Sequence, residues 1–292
     1  MSSTKKTQLL LFLLCSVLQL KAQLQSDSLK IDGISRTFSY KKSLSNNAPL
    51  VFVLHGSGGN GKEMSSRTPK LLTISDTENM LLVFPDGYKR FWNECRKSSP
   101  AAANVENINE EGFFEAMIDY FTKNQHINPK NIFVVGTSGG GHMAYKLGLT
   151  MPQKLNAITA VIANLPDTNN LDCGEAKKAL PLMIINGTED KVNPYNGGEV
   201  ILGQNQNMGF VRSTERTFKY WATLAGYNGE PVFVKIPDND PNDGKIIERY
   251  TLKEKKKPEI VLLKVIGGKH DYPNDIDVHV EAWEFFKRQI SN

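Results

Sequence analysis

The sequence predicts an α/β protein, a mostly parallel central sheet with helices on both faces. Two observations carry that expectation. Five short runs, 50–54 (LVFVL), 81–84 (LLVF), 132–135 (IFVV), 182–185 (LMII) and 260–265 (IVLLKV), are apolar almost without interruption, as strands buried on both faces are. Stretches of helical periodicity lie between them, and strands that alternate with helices form parallel sheets.

In chain order, Lys5 and Lys6 precede an apolar run at 9–20, which ends in Lys21-Ala22-Gln23. This is the pattern of a secretory signal peptide, 1–22, cleaved after Ala22. The run is too short to cross a bilayer, and no later segment offers the ~20 apolar residues a membrane span needs, so an exported, soluble mature protein is expected. A lipid anchor on Cys15 would call for small residues before it, where Leu13 and Leu14 stand.

The strand at 50–54 runs into HGSGGNG, and that at 81–84 into FPDG and then Trp92-Asn93. Helix 110–124 follows, with Phe113, Phe114, Met117, Ile118 and Phe121 on one face and Asn107 with Glu110 as a start resembling a capping box. Strand 132–135 passes through a glycine-rich turn into helix 142–149. Beyond strand 182–185 come helix 214–225, a hairpin within 228–259 turning at Asn242-Asp243-Gly244, strand 260–265 and helix 278–290. With no internal repeat or linker, one catalytic domain over 23–292 is expected.

The bulk numbers agree with a large core: of 292 residues, 40% are hydrophobic and 23% charged. The net charge of +4 is spread along the chain, and its densest run, KEKKKPE at 253–259, reads as a solvated turn rather than a nucleic-acid site. Beyond the leader, Cys95 and Cys173 read as one disulfide in an exported chain, or else as two separate buried thiols. Neither has the neighbours that metal-ligand spacing requires.

The chemistry is concentrated at Gly136-Thr137-Ser138-Gly139-Gly140, a G-x-S-x-G motif between a strand and a helix. Such a turn exposes a hydroxyl beside helix N–H groups, and serine there needs a base and a carboxylate that orients the base. In this context the order along the chain is serine, acid, base. Asp190, in the loop after strand 182–185, and His270, in the loop after strand 260–265, fill those places, with Glu189 and Asp271 as rival carboxylates one residue away. Among the other histidines, His126 reads as a helix cap or surface residue and His279 as an exposed residue of the last helix. His142 lies too close to Ser138 in the chain to be its base and either lines the pocket or packs. His55 opens an H-G-x-G-G loop whose Ser57 N–H, with that of Gly139, supplies donors for an oxyanion. The loop lacks the hydroxyl after Lys62 that a phosphate-binding P-loop would need.

With these pieces in place the chain resembles, from about Phe38 to its C-terminus, the secreted polyhydroxybutyrate depolymerase-like and feruloyl-esterase-like serine esterases of the α/β-hydrolase superfamily. The stretches that carry the resemblance are VFVLHGSGGNG, LLVFPDGYKRFWNEC, NIFVVGTSGGGHMAYKLG, PLMIINGTEDKVNPYNGG and GGKHDYP. It implies an α/β-hydrolase fold with Ser138 as nucleophile, Asp190 as acid and His270 as base, and it puts Trp92 and Tyr195 near the substrate mouth. The chain departs from the family in carrying NINEEGFF before its long helix, Gly140-Gly141-His142 after the elbow, and Tyr272 where some members have tryptophan. The expected protein is a secreted carboxylic ester hydrolase acting on a small-molecule or polymeric ester with no metal or organic cofactor. A serine peptidase of the same fold and a non-catalytic carbohydrate-binding protein are the alternatives.

Overall fold

The computed structural model describes residues 24–203 and 206–291. The signal peptide reading of residues 1–22, Cys15 included, falls outside the described residues. The chain opens with an antiparallel hairpin of β1 (Gln25–Ile31) and β2 (Ile34–Lys41), turned by Asp32 and Gly33, both at positive φ. β3 (Leu50–Leu54), α1 (Gly61–Ser66), α2 (Pro69–Thr77), β4 (Leu81–Pro85), α3 (Ala102–Val105), α4 (Glu110–Gln125), β5 (Ile132–Thr137), α5 (Gly139–Thr150) and β6 (Ala157–Val161) follow. The second half holds β7 (Leu182–Gly187), a separate hairpin of β8 (Gly198–Leu202) and β9 (Gln206–Val211), α6 (Thr214–Leu224), β10 (Val232–Lys235), β11 (Ile246–Leu252), β12 (Ile260–Ile266) and α7 (Val278–Lys287).

Among the described residues the main sheet has the order β1-β2-β4-β3-β5-β6-β7-β12-β11-β10. The central strands from β4 to β12 pair in parallel, while β1–β2 and β11–β10 add antiparallel margins. All the loops at the carboxyl ends of the central strands therefore converge on one edge of the sheet, where ligands bind in folds of this kind. Every residue of β3, β5, β6 and β7 is buried, because helices cover both faces.

The alternation of side chains along each strand splits the interior in two. Leu50, Phe52 and Leu54 pack with Phe113, Phe114, Met117 and Trp221 under α4, α5 and α6; Val51 and Val53 pack with Phe133, Trp283 and Phe286 under α1, α2 and α7. On that second side Phe133 and Phe286 stack with centroids 4.9 Å apart. Among the described residues no helix is long and apolar enough to cross a membrane.

The start of α4 differs from expectation. Asn109, not Asn107, caps it, its Oδ1 accepting from Gly112 N at 2.8 Å. Asn107 stands at φ 47° and accepts from the Asn93 amide, and Glu110 is buried against the Arg36 guanidinium at 2.9 Å. Burial of Glu110 beside a cation outweighed the reach back to the helix end that a capping box would have required.

Cys95, in the loop after β4, is joined to Cys173, in the segment after β6. The bond closes a sequence separation of 78 and restricts the unfolded chain accordingly. Replacing both cysteines with serine should lower the unfolding free energy by about 2–5 kcal/mol. The urea midpoint, compared with and without the replacement, measures it.

Candidate active site

The turn between β5 and α5 brings two pieces of backbone almost into contact. A Cβ on Gly136 would sit 2.0 Å from the Gly140 carbonyl oxygen, and one on Gly140 would sit 2.5 Å from that of Leu54. Glycine at both places lets the chain reverse within a few residues. Ser138, at the apex, is held at φ 55° and ψ −117°, a conformation that costs an L-residue roughly 1–3 kcal/mol. Ser138 N donates to Val161 O at 2.8 Å, and His142 N to Ser138 O at 3.0 Å, so the strained residue is pinned from both sides.

His270 arrives from the loop after β12. Its Nε2 lies 3.0 Å from Ser138 Oγ and its Nδ1 lies 2.7 Å from Asp190 Oδ2. A carboxylate only accepts, so Nδ1 carries the proton and Nε2 is left to accept from the serine hydroxyl. Asp190 is buried in the loop after β7, and its other oxygen accepts from Val192 N and Asn193 N, each at 2.8 Å. Those two amides fix the carboxylate so that one oxygen faces the imidazole. Of the rival carboxylates, Glu189 is exposed and Asp271 is bonded to Lys245 Nζ at 3.0 Å. The structure thus brings together Ser138, His270 and Asp190.

The loop after β3 packs on the first turn of α5. A Cβ on Gly139 would lie 2.9 Å from Ser57 N, so the Ser57 and Gly139 backbones stand side by side next to Ser138. The first N–H groups of a helix have no intrahelical acceptor, and the α5 dipole adds partial positive charge at the same point. The arrangement suits an oxygen that gains negative charge while bound to Ser138.

Two side chains hold that loop. His55 Nδ1 donates to Gly56 O at 2.7 Å and His55 Nε2 accepts from Gly87 N at 2.9 Å, which fixes the neutral tautomer; burial pushes its pKa down in the same sense. Trp92 donates its indole N–H to His55 O at 2.9 Å. Trp92 is buried with its ring beside that of His55, so the expectation that it borders the substrate mouth is corrected: it is a support beneath the loop.

A cavity of about 600 Å³ opens at Ser138, lined by Ser57, Met64, Arg67, Ile162, His270 and Tyr272 among others. Tyr195 is not among its walls; it lines a separate cavity beside α6, a second correction. Met64, Arg67 and Ile162 carried no motif in the sequence, because they reach the cavity from α1 and from the end of β6 through folding alone. Tyr272 had a signal in its place two residues after His270; its hydroxyl bonds Thr137 Oγ1 at 2.8 Å.

The remaining histidines are not part of this constellation. His126 caps α4 in the left-handed conformation and is exposed. His142 is buried, and burial holds it well below its ordinary pKa. His279 is also buried, not exposed as its sequence position suggested, since it sits in the first turn of α7 with its ring edge-on to Tyr272 at 5.5 Å. Burial pushes its pKa from 6.5 down to about 4. Because this folded value is depressed, the unfolded chain takes up a proton that the folded chain refuses, and stability falls as pH drops from 6.5 to about 4. A His279→Gln chain should lose up to about 3 kcal/mol less than the parent over that window. Thermal melts at several pH values read the difference.

Comparison with known proteins identifies the family and the fold. A family model described as phospholipase/carboxylesterase matches residues 39–206. Feruloyl esterase B of Piromyces equi is 28% identical over 188 residues, covering 63% of this chain and 34% of its own length. The bifunctional acetylxylan esterase/xylanase XynS20E of Neocallimastix patriciarum is 26% identical over 160 residues, or 55% of this chain and 22% of its own. The chain therefore spans about a third or less of the length of these two relatives. The solved acetyl xylan esterase from Aspergillus awamori superposes with a TM-score of 0.61 at 14% identity, covering 90% of this chain and 99% of the other, which is a likeness of fold.

Proposed function

The chain belongs to the phospholipase/carboxylesterase family of α/β-hydrolases, and from that premise we propose that it hydrolyses carboxylic esters with Ser138 as nucleophile, His270 as base and Asp190 as the carboxylate that orients it. The observation that carries the reading is the continuous line of hydrogen bonds from Ser138 Oγ through His270 to Asp190. His270 Nε2 takes the serine proton as Oγ adds to the ester carbonyl, and the Asp190 carboxylate stabilises the imidazolium that results. The carbonyl oxygen becomes an oxyanion between the N–H groups of Ser57 and Gly139. His270 then passes the proton to the departing alcohol, and a water activated by the same imidazole releases the acid from Ser138.

The substrate is an acyl group on a plant polysaccharide, feruloyl or acetyl. This rests on the esterase activities of the two relatives and on a cavity in which Met64, Ile162 and Tyr272 offer an apolar wall broad enough for an aromatic acyl chain. A polyester chain end of the 3-hydroxybutyrate type is the neighbouring substrate to compare. Export after cleavage at residue 22 and a single catalytic domain over 23–292 complete the proposal; the disulfide, which persists in oxidising compartments, supports export.

Replacing Ser138 with alanine should lower ester turnover by about 10⁴-fold or more with the melting temperature retained, and Asp190→Asn should cost about 10⁴-fold. Undiminished hydrolysis by Ser138→Ala would overturn the assignment. Gly139→Ala is predicted to cost about 10²–10³-fold, since the new methyl would wedge against Ser57 and part the two oxyanion donors. Initial rates on methyl ferulate, acetylated xylo-oligosaccharide and a 3-hydroxybutyrate oligomer identify the acyl group; preference for the last would contradict the polysaccharide reading.

A further inference from the structure

A cavity of about 550 Å³ lies between α6, the loop that follows it, and the β11–β12 margin of the sheet, and it shares no wall residue with the cavity at Ser138. Its floor is the apolar surface of Ala222, Leu252 and Leu262, and three tyrosines, Tyr195, Tyr227 and Tyr250, stand around it. Two of their hydroxyls are already tethered: Tyr227 accepts from Glu254 N at 3.0 Å and Tyr250 donates to Glu248 at 2.7 Å. The Lys264 ammonium lies 5.6 Å from the Tyr195 ring centroid and that of Lys257 lies 4.8 Å from the Tyr227 centroid. The aromatic walls are thus held in place before any ligand arrives, which spares the cost of ordering them on binding.

The charges at the cavity cancel. The carboxylates of Glu215 and Glu230 and the ammonium groups of Lys219 and Lys264 stand around one opening. A charged ligand would meet as much repulsion as attraction there, whereas a ligand that offers both donors and acceptors would find partners for each. The site is also elongated. A shallower depression with Tyr220 and Leu224 in its wall continues along α6 and shares Lys219 and Thr223 with the cavity.

We propose that this cavity and its extension form a second, non-catalytic binding site for a short neutral segment of a linear polysaccharide. A neutral pyranose combines an apolar C–H face, which suits the tyrosine rings, with a belt of hydroxyls that both donate and accept, which suits the mixed rim. Consecutive sugars occupy the length along α6. The site holds substrate polymer near the enzyme, and any gain arises from raised local concentration and not from the chemistry at Ser138.

The role of holding substrate rests on the proposed esterase reading, whereas the binding itself does not, and the test separates the two. The full chain carrying Ser138→Ala is titrated with xylohexaose and with xylobiose by calorimetry. Saturable binding of xylohexaose is expected with Kd on the order of 1 mM or tighter, and about tenfold weaker for xylobiose. Adding Thr223→Trp, which blocks the junction of cavity and depression from the exposed face of α6, or Tyr250→Ala, should weaken it by about tenfold or more. The same substitutions in the otherwise unaltered chain should leave fluorophosphonate labelling of Ser138 unchanged, and Thr223→Trp, at an exposed position, should also retain the melting temperature. Absence of saturation by xylohexaose, binding indifferent to both substitutions, or tighter binding of an oligogalacturonate than of xylohexaose would each overturn the proposal. Loss of labelling in the unaltered chain would instead tell against the esterase reading alone.

Discussion

The contact on which the rest of the structure depends is between backbone and backbone, where the end of β5 meets the first turn of α5. Gly136 and Gly140 leave no room for a side chain, and the hydrogen bond from Ser138 N to Val161 O ties the apex to the neighbouring strand. Only with that separation closed does the hydroxyl of Ser138 stand clear of the sheet and next to unbonded N–H groups. The strain at φ 55° is borne by the parallel strands on either side, which are buried over their whole length.

Parallel pairing then assembles the other participants. β7 and β12 are neighbours in register from Leu182 opposite Ile260 to Gly187 opposite Val265, so the loops that leave their carboxyl ends start side by side. That register sets Asp190 against His270 although they are far apart in sequence. A buried amide network stiffens the same region: Asn186, near the end of β7, donates to Ala163 O, Asn164 Oδ1 and Thr214 Oγ1. Asn193 Oδ1, in the loop that carries Asp190, accepts from Asn164 N. The network joins the ends of β6 and β7, the start of α6 and the loop that carries Asp190. Each of its bonds lies in a low-dielectric interior, where an unpaired partner would cost about 1–3 kcal/mol.

The central strands and the long helices were legible because their apolar runs are both continuous and periodic. Less legible were β6, whose five residues AITAV form a weak run, the β1–β2 hairpin, whose exposed residues alternate with few apolar ones, and the β8–β9 hairpin, which lies outside the main sheet. His279 misled because Tyr272 and the edge of the second core cover the first turn of α7, where a polar residue at a helix start ordinarily faces water. Trp92 and Tyr195 misled for the opposite reason. An aromatic beside a motif suggests a ligand, but burial sent one ring under the His55 loop and the other to the cavity beside α6.

The sequence by itself determined the strand-turn-helix at Ser138, the order of Ser138, Asp190 and His270 along the chain, and the glycine loop that faces them. Each of these is a local matter of backbone sterics and of side-chain chemistry at short range. Only the tertiary structure decided which of Asp190, Glu189 and Asp271 meets His270, which residues wall the cavity, and where Trp92 and Tyr195 point. Those outcomes turn on burial and on strand register, which are properties of elements distant in sequence and brought together by packing.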